Sequence, residues 1–175
     1  MKKLFMSALV LAGLMMTTES NAQNVKGVTY VNAGIGIGAF NFIGTGGLPI
    51  VASAEHGITD KISAGVVGSI VSRKYFGWKY NYVVVGVRGS YHVNELLKLT
   101  DEKLEVYGGA SLFYRGYKVK WTGHDDEDIN YKSSGGGLDI ALHAGGRYFF
   151  TEKIGGFAEV GYGISPLQLG LTVKF

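Results

Sequence analysis

Residues 167–175 constrain this chain more than any other stretch. Leu167, Leu169, Leu171, Val173 and Phe175 occupy one face, while Gln168, Gly170, Thr172 and Lys174 occupy the other. An unbroken period of two is a strand, because successive side chains of an extended backbone point to opposite sides. One face of that strand is wholly apolar and must lie against either a protein core or lipid. Chain ends usually fray, so an aromatic at the last position implies that the strand is held to its final residue.

The same alternation recurs throughout the chain. Strands are expected at 28–39, 50–58, 61–73, 80–93, 104–114, 136–150, 154–164 and 167–175. Short turns are expected at Thr59-Asp60 and at 151–153, with a longer one at 94–103 that has room for one helical turn through Glu95-Leu96-Leu97-Lys98. The other connections are loops at 40–49, at 74–79 (aromatic, with Tyr75, Phe76 and Trp78), at 116–135 and at Ser165-Pro166. Turns this short between strands make antiparallel neighbours. No repeat of 20 to 50 residues and no linker divides the chain, so 23–175 is read as one domain.

Charge decides what the apolar face meets. Glu55, Arg88, Glu105, Asp139, Arg147, Glu159 and Lys174, with Arg115 at a strand end, all oppose the aliphatic row of their strand. The informative cases hold parity within one strand: Arg88 with His92, Glu105 with Arg115, and Asp139 with His143 and Arg147. In a soluble sandwich or a lipocalin-like binding protein the apolar row faces inward; in a membrane barrel it faces lipid and the polar row fills the lumen. An Arg or Lys at mid-bilayer costs about 2–4 kcal/mol on the lipid face, and that face is almost free of charge. Tyr91, Tyr114, Tyr148, Phe150, Tyr162 and Phe175 fall near its strand ends, where interfacial aromatics belong. Closure also satisfies every backbone group in lipid. The fold class expected is therefore all-β, an eight-stranded antiparallel up-and-down transmembrane β-barrel. In so narrow a barrel the four acids and four bases are expected to neutralise one another as a plug, with a gated, porin-like solute channel as the alternative. A secreted lipocalin-like protein is a third reading.

The N-terminus fits export. Lys2 and Lys3 precede the apolar run 4–16, and the small polar run 17–22 ends at Ala22, which reads as a signal peptide over residues 1–22. Its removal leaves 17 − 2 = 15 basic and 14 − 1 = 13 acidic residues, with no cationic block suited to nucleic acid. The absence of cysteine excludes thiol catalysis and Cys-based metal sites. The 28 glycines sit among Tyr, Val and Phe, unlike a disordered segment. His124-Asp125-Asp126-Glu127-Asp128 could hold a divalent cation but lacks spaced-ligand order, and a solvated loop is the expectation. His92 and His143 lie near Ser90 and Ser111 without a Gly-x-Ser-x-Gly elbow, so no enzyme and no cofactor is expected, and the inward histidines are read as parts of the plug.

Four pieces carry a resemblance: 55–63 (Glu-His-Gly-Ile-Thr-Asp-Lys-Ile-Ser), 88–92 (Arg-Gly-Ser-Tyr-His), 106–110 (Val-Tyr-Gly-Gly-Ala) and the last strand. Together the chain resembles the small OmpA/OmpX-like outer-membrane barrels, and more specifically the outer-membrane β-barrel domain proteins of Bacteroidota. The last strand is similar to that family's C-terminal assembly signal, with Gln168, Gly170, Val173 and Phe175 in its places; Val173 departs from the commoner aromatic. The resemblance implies a monomer in the outer membrane of a Gram-negative envelope, surrounded by lipid and lipopolysaccharide and inserted by the barrel assembly machinery. It implies both chain ends and the short turns in the periplasm, and a structural or surface-interaction role. No peptidoglycan-binding domain is expected after Phe175.

Overall fold

Phe175 and Thr29 exchange backbone hydrogen bonds of 2.9 and 3.0 Å, and this exchange starts the seam that closes the sheet on itself. The computed structural model describes residues 25–121 and 132–175. Eight strands follow in order: β1 Thr29–Ile37, β2 Ile50–Gly57, β3 Ile62–Tyr75, β4 Trp78–His92, β5 Leu104–Trp121, β6 Lys132–Phe149, β7 Ile154–Tyr162 and β8 Leu167–Lys174. Each pairs antiparallel with the next, and β8 pairs with β1, giving a closed barrel with up-and-down connections. Closure leaves no unpaired edge at the level of the seam, the condition for a sheet to stand in hydrocarbon.

The seam is close because it is built on glycine. Gly34 and Gly170 are register partners. A Cβ on Gly170 would meet the Phe157 ring edge at 2.7 Å and the backbone of β1 closer still. No side chain fits where two strands and an inward aromatic converge. Val173 pairs with Val31 in the same seam.

The expected parity holds along the strands. Ile35, Ile50, Val66, Ile70, Val83, Val85, Val87, Leu112, Ile140, Leu142, Val160 and Leu171 are exposed large apolar residues, and so are Tyr91, Tyr114, Tyr148, Phe150 and Tyr162. The residues beside them are buried: Ser53, Glu55, Ser63, Arg88, Glu105, Ser111, Arg147, Glu159 and Thr172. The molecule is thus inside-out relative to a water-soluble sheet, as the pattern for lipid requires.

Ile164 breaks the pattern. It was expected on the outer face but is buried, 3 % exposed. The backbone reverses at Gly163, with φ +111°, so β7 ends at Tyr162 and the next side chain turns into the lumen.

The rim is uneven. β1, β2, β7 and β8 have 9, 8, 9 and 8 residues, about what a tilted strand needs to cross a bilayer. β3 and β4 have 14 and 15 residues, and β5 and β6 have 18 each. At about 3.3 Å per residue, β5 and β6 run roughly 20 Å past the short strands along the barrel axis. β7 pairs with β6 only from Leu142 to Phe149, so the protruding part of β6 is paired on the β5 side alone. We call the end holding residues 25–28 and Phe175 the terminal end, and the other the far end.

Two expected loops are corrected by these long strands. Residues 116–121 and 132–135, expected in a polar loop, belong to β5 and β6, and Tyr117 pairs with Gly135 and Lys120 with Lys132. The 74–79 loop is a two-residue hairpin: Tyr75 pairs with Trp78, and Phe76 and Gly77 both have positive φ, 42° and 78°. That is the turn geometry whose twist matches the flanking strands. Residues 94–103 hold a single hydrogen-bonded turn, with Leu97 N bonding Val93 O at the i to i−4 spacing of one helical turn and Leu99 N bonding Asn94 O. The expected signal peptide at 1–22 and the acidic run 124–128 lie outside the described residues.

Candidate functional site

The lumen is filled in two layers. Toward the terminal end, β1, β2, β4, β5, β6 and β7 each send a polar side chain inward to one point. Arg147 has no exposed side-chain surface. Its guanidinium lies between the rings of Tyr107 and Tyr30, at 4.0 and 4.4 Å. Its Nη2 donates to Glu55 Oε1 at 3.3 Å and its Nε to Asn32 Oδ1 at 3.3 Å, while Nη1 lies 3.6 Å from Glu105 Oε1. Two aromatic faces and two carboxylates replace the water this cation would have had.

Arg88 crosses the same layer. Its Nη2 donates to Glu159 Oε1 at 2.9 Å, and its Nε sits 3.1 Å from Glu55 Oε1 as an ion pair without hydrogen-bond alignment. Tyr107 donates its phenol proton to Glu159 Oε1 at 2.8 Å. Glu105, the third carboxylate, is met by His92 Nδ1 at 2.5 Å. His143 Nε2 lies 3.0 Å from the Ser90 hydroxyl, and Asn32 donates to Ser53 at 3.0 Å. Beneath this layer Val25, Val28, Tyr30 and Phe149 form an apolar cluster at the terminal end.

The second layer is apolar, beside the polar and charged network expected to fill the lumen. Phe42, Val51, Val67, Val71, Tyr82, Val84, Phe113, Ala141 and Ile164 pack together above the ionic layer. Phe42 comes from the connection between β1 and β2 and stands edge-on to Tyr82, centroids 4.8 Å apart. Valines at inward positions of β2, β3 and β4 make this possible; their β-branched side chains fill a narrow lumen without hydrogen-bond demands.

Of the eight charged residues expected to share the lumen, Glu55, Arg88, Glu105, Arg147 and Glu159 meet in one network. Arg115 and Asp139 form a separate pair at 3.0 Å above the apolar layer. Arg115 also donates to Gly163 O at 2.5 Å and Asn41 O at 3.2 Å, and lies 4.6 Å from the Phe42 ring centre. Lys174 departs from the expected balance. Among the described residues it forms no ion pair, and its Nζ sits 4.6 Å from the Phe149 ring centre at the terminal end. The four-against-four balance is thus a network of three carboxylates and two guanidiniums, one separate pair and one lysine on an aromatic ring. The reason is depth, because residues on one inward face still lie at different heights along the barrel.

Reasoning from charge alone missed Tyr30, Asn32, Ser63 and Tyr107 as members. The signal was parity: Tyr30 and Asn32 alternate on the inward face of β1, and Tyr107 lies two residues from Glu105.

One chain of contacts has the order of a nucleophile, a base and its orienting acid. Ser63 Oγ is 2.9 Å from His92 Nε2, and His92 Nδ1 is 2.5 Å from Glu105. The Ser63 hydroxyl, however, donates to Glu55 Oε2 at 3.0 Å, which turns its proton away from the imidazole. Ser63 also has no exposed surface from which a substrate could approach. The arrangement ties β2, β3, β4 and β5 together and does not prepare a nucleophile.

At the far end the inward faces of β4, β5 and β6 enclose an open recess of about 540 Å³. Its walls include Trp78, Tyr80, Tyr82, Tyr117 and Val119, with Arg115 and Asp139 at its base. Trp78 packs edge-on against Trp121, centroids 4.8 Å apart. It therefore lies on the concave face, apart from Tyr75 and Phe76. Those two remain at the hairpin tip, edge-on at 4.7 Å, with Phe76 82 % exposed. Among the described residues no cluster of acids and histidines could hold a metal ion.

No protein-family model and no curated protein matches the sequence. Solved structures do. The N-terminal β-barrel domain of Pseudomonas aeruginosa OprF superposes with a TM-score of 0.58 at 14 % identity, over 86 % of this chain and 98 % of that one. Neisserial surface protein A gives 0.57 at 17 % identity, over 85 % and 96 %. A transmembrane β-barrel designed de novo gives 0.52 at 16 % identity, over 91 % and 100 %. Likeness at such identities speaks for architecture alone: this chain has the closed eight-stranded antiparallel fold of the small outer-membrane β-barrels.

Proposed function

We propose that the protein is an integral outer-membrane barrel whose lumen is a closed plug and whose working surface is the protruding far-end sheet. The role is structural or surface-interacting, without catalysis. Residues 1–22 direct export, and Gly170, Val173 and Phe175 serve the assembly machinery as well as the seam. The terminal end faces the periplasm, and the far end passes outward through the lipopolysaccharide leaflet. The barrel acts as a monomer.

The observation that carries the closed lumen is Arg147. A guanidinium with no exposed surface, held between two tyrosine rings and two carboxylates, leaves no aqueous path at its level. Above it, a void of about 10 Å³ beside Asn32, Ser53, Arg88 and Glu159 has room for a single water. An apolar layer follows.

The deciding experiment is conductance of the purified full chain in planar bilayers beside folding into lipid vesicles. We expect efficient insertion with no regular openings. Reproducible single-channel steps from the unmodified protein would replace this reading with the solute channel. Recovery of the protein in the soluble fraction of washed cells would replace it with a secreted binding protein.

A further inference from the structure

Lysines stand in register across the protruding sheet. Lys74 on β3 is the partner of Lys79 on β4, Lys79 of Lys120 on β5, and Lys120 of Lys132 on β6. Lys118 lies one row nearer the barrel, opposite Asn81. By strand parity Lys79 shares the outward face of Val83 and Val85, and Lys118 and Lys120 share that of Leu112 and Tyr114. The row therefore stands on the outer wall just beyond the apolar band.

Like charges directly opposite one another in an antiparallel pair repel, and Lys74–Lys79 and Lys79–Lys120 are two such contacts in succession. Among the described residues none of Lys74, Lys79, Lys118 and Lys120 forms an ion pair. The described acids are elsewhere: Glu55, Glu105, Asp139 and Glu159 face inward, and the remainder lie in the terminal-end turns. Among the described residues, then, this surface supplies no anion for the row.

We propose that the row is a binding site for phosphate-bearing lipid headgroups of the leaflet crossed by the far end. A phosphate bridges neighbouring lysines while acyl chains lie along Val83, Val85, Leu112 and Tyr114. Position selects an amphiphile over a soluble anion. From Val83 to Lys79 the strand rises about 13 Å, and lysine stems lie along apolar surface while their heads reach polar groups. Each lysine near an anionic lipid surface contributes about fivefold in affinity. The inference rests on the outer-membrane reading, because the band must stand in a bilayer for its margin to meet headgroups.

The test uses the full chain folded in neutral maltoside micelles, with phosphatidic acid titrated in and the apparent Kd read from lysine Nζ NMR shifts. Folding into phosphatidylcholine vesicles is measured separately, so failure of the barrel to enter any bilayer is distinguished from failure of the headgroup site. We expect K74Q/K79Q/K120Q to weaken phosphatidic acid binding on the order of a hundredfold. K74R/K79R/K120R should retain it, and K61Q at the terminal end should leave it unchanged. Inorganic phosphate, lacking chains, should bind at least about tenfold more weakly than the lipid. Equal affinity for phosphatidic acid and phosphatidylcholine in the unmodified protein would overturn the proposal and point to the acidic segment 125–128 as the row's partner. Equal affinity for inorganic phosphate would also overturn it, as would full binding by the triple glutamine variant. If that variant fails to fold, the comparison of the three ligands on the unmodified protein decides alone.

Discussion

The terminal-end half of the lumen and the far-end sheet are built from the same strands by the same alternation, yet they obey different constraints. Inside the band both faces of every strand are committed, one to lipid and the other to a lumen filled by side chains. Arg147 is 0 % exposed there, and two carboxylates and two rings stand around it in place of water. Beyond the band, the inward faces of β4, β5 and β6 open onto a recess, with Tyr80, Tyr117 and Trp78 only partly covered. Ion pairs follow the same division. Lys61 and Glu95 meet at 2.8 Å on the surface, a bond that raises the lysine's pKa, whereas Glu55 meets two guanidiniums with no exposed side-chain surface of its own. A strand thus carries stability where both faces are confined and is free to carry recognition where one face is released.

The sharpest test of that division removes one cation from each region. Arg147→Ala should destabilise the folded barrel by about 3–5 kcal/mol, since it leaves Glu55 with Arg88 as its one guanidinium and Glu105 with only His92 opposite it. Arg115→Ala leaves unpaired an Asp139 whose side chain is already 27 % exposed at the lumen mouth, and should cost clearly less. Urea titration followed by heat-modifiable gel mobility reads both. Equal losses would erase the distinction between the halves. New conductance in Arg147→Ala without loss of stability would count against a plug.

The lipid face is tested one residue away. Leu142 is 58 % exposed and Ala141 is 6 % exposed on the same strand. Leu142→Arg should cost about 2–4 kcal/mol of folding into vesicles if it lies near mid-bilayer. Ala141→Ser should be tolerated far better, although Ala141 packs within the apolar layer and its added hydroxyl needs a partner. Similar folding yields for the two variants would remove the assigned parity of β6.

Within the ionic layer, Tyr107→Phe keeps the ring against Arg147 and removes only the hydroxyl bonded to Glu159. A hydrogen bond to a charged group is worth about 1.5–3 kcal/mol. The expected loss is in that range, below that of Arg147→Ala, by the same urea titration.

How much of this was legible in the sequence follows from the same contrast. Eight strands, their order and their parity could be read because lipid on one side and a narrow lumen on the other force alternation at every position. Glu55, Arg88, Glu105, Arg147 and Glu159 were legible as inward for that reason. Their grouping was not, since it depends on strand register and tilt, which the pattern of a single strand does not contain. Phe42 was hidden in a loop that folds back into the barrel, and Ile164 was reversed by a single positive φ at Gly163. The protruding hairpin was the largest miss. Tyr117, Val119 and Trp121 alternate with Lys118 and Lys120, but an outward face of lysines is not the signature of a membrane strand. Gly116 and Gly135, at the two ends of the expected loop, also read as loop residues. Gly135 and its neighbour Gly136 instead leave room for large rings: a Cβ on Gly135 would meet the Tyr117 ring at 2.8 Å, and one on Gly136 the Tyr114 ring at 2.6 Å.

The smallest expected effect on stability lies at the tip of that sheet. Phe76 is 82 % exposed and holds φ +42°, a conformation that asparagine tolerates better than a residue with an aromatic side chain. Phe76→Asn relieves the backbone while removing the exposed half of the Tyr75–Phe76 contact. An exposed site remote from the core changes stability within about 0.5 kcal/mol, so the urea midpoint should stay where it is or rise slightly. Surface contact should respond differently. Adhesion of whole cells carrying the variant should fall if the tip touches a partner, with membrane levels unchanged by immunoblot. A stability loss above about 1 kcal/mol would show that the tip is coupled to the barrel and that the released half is not released. Unchanged adhesion with unchanged stability would move the contact surface from the tip to the concave face of Trp78, Tyr80 and Tyr117, where Tyr80→Ala is the matching substitution.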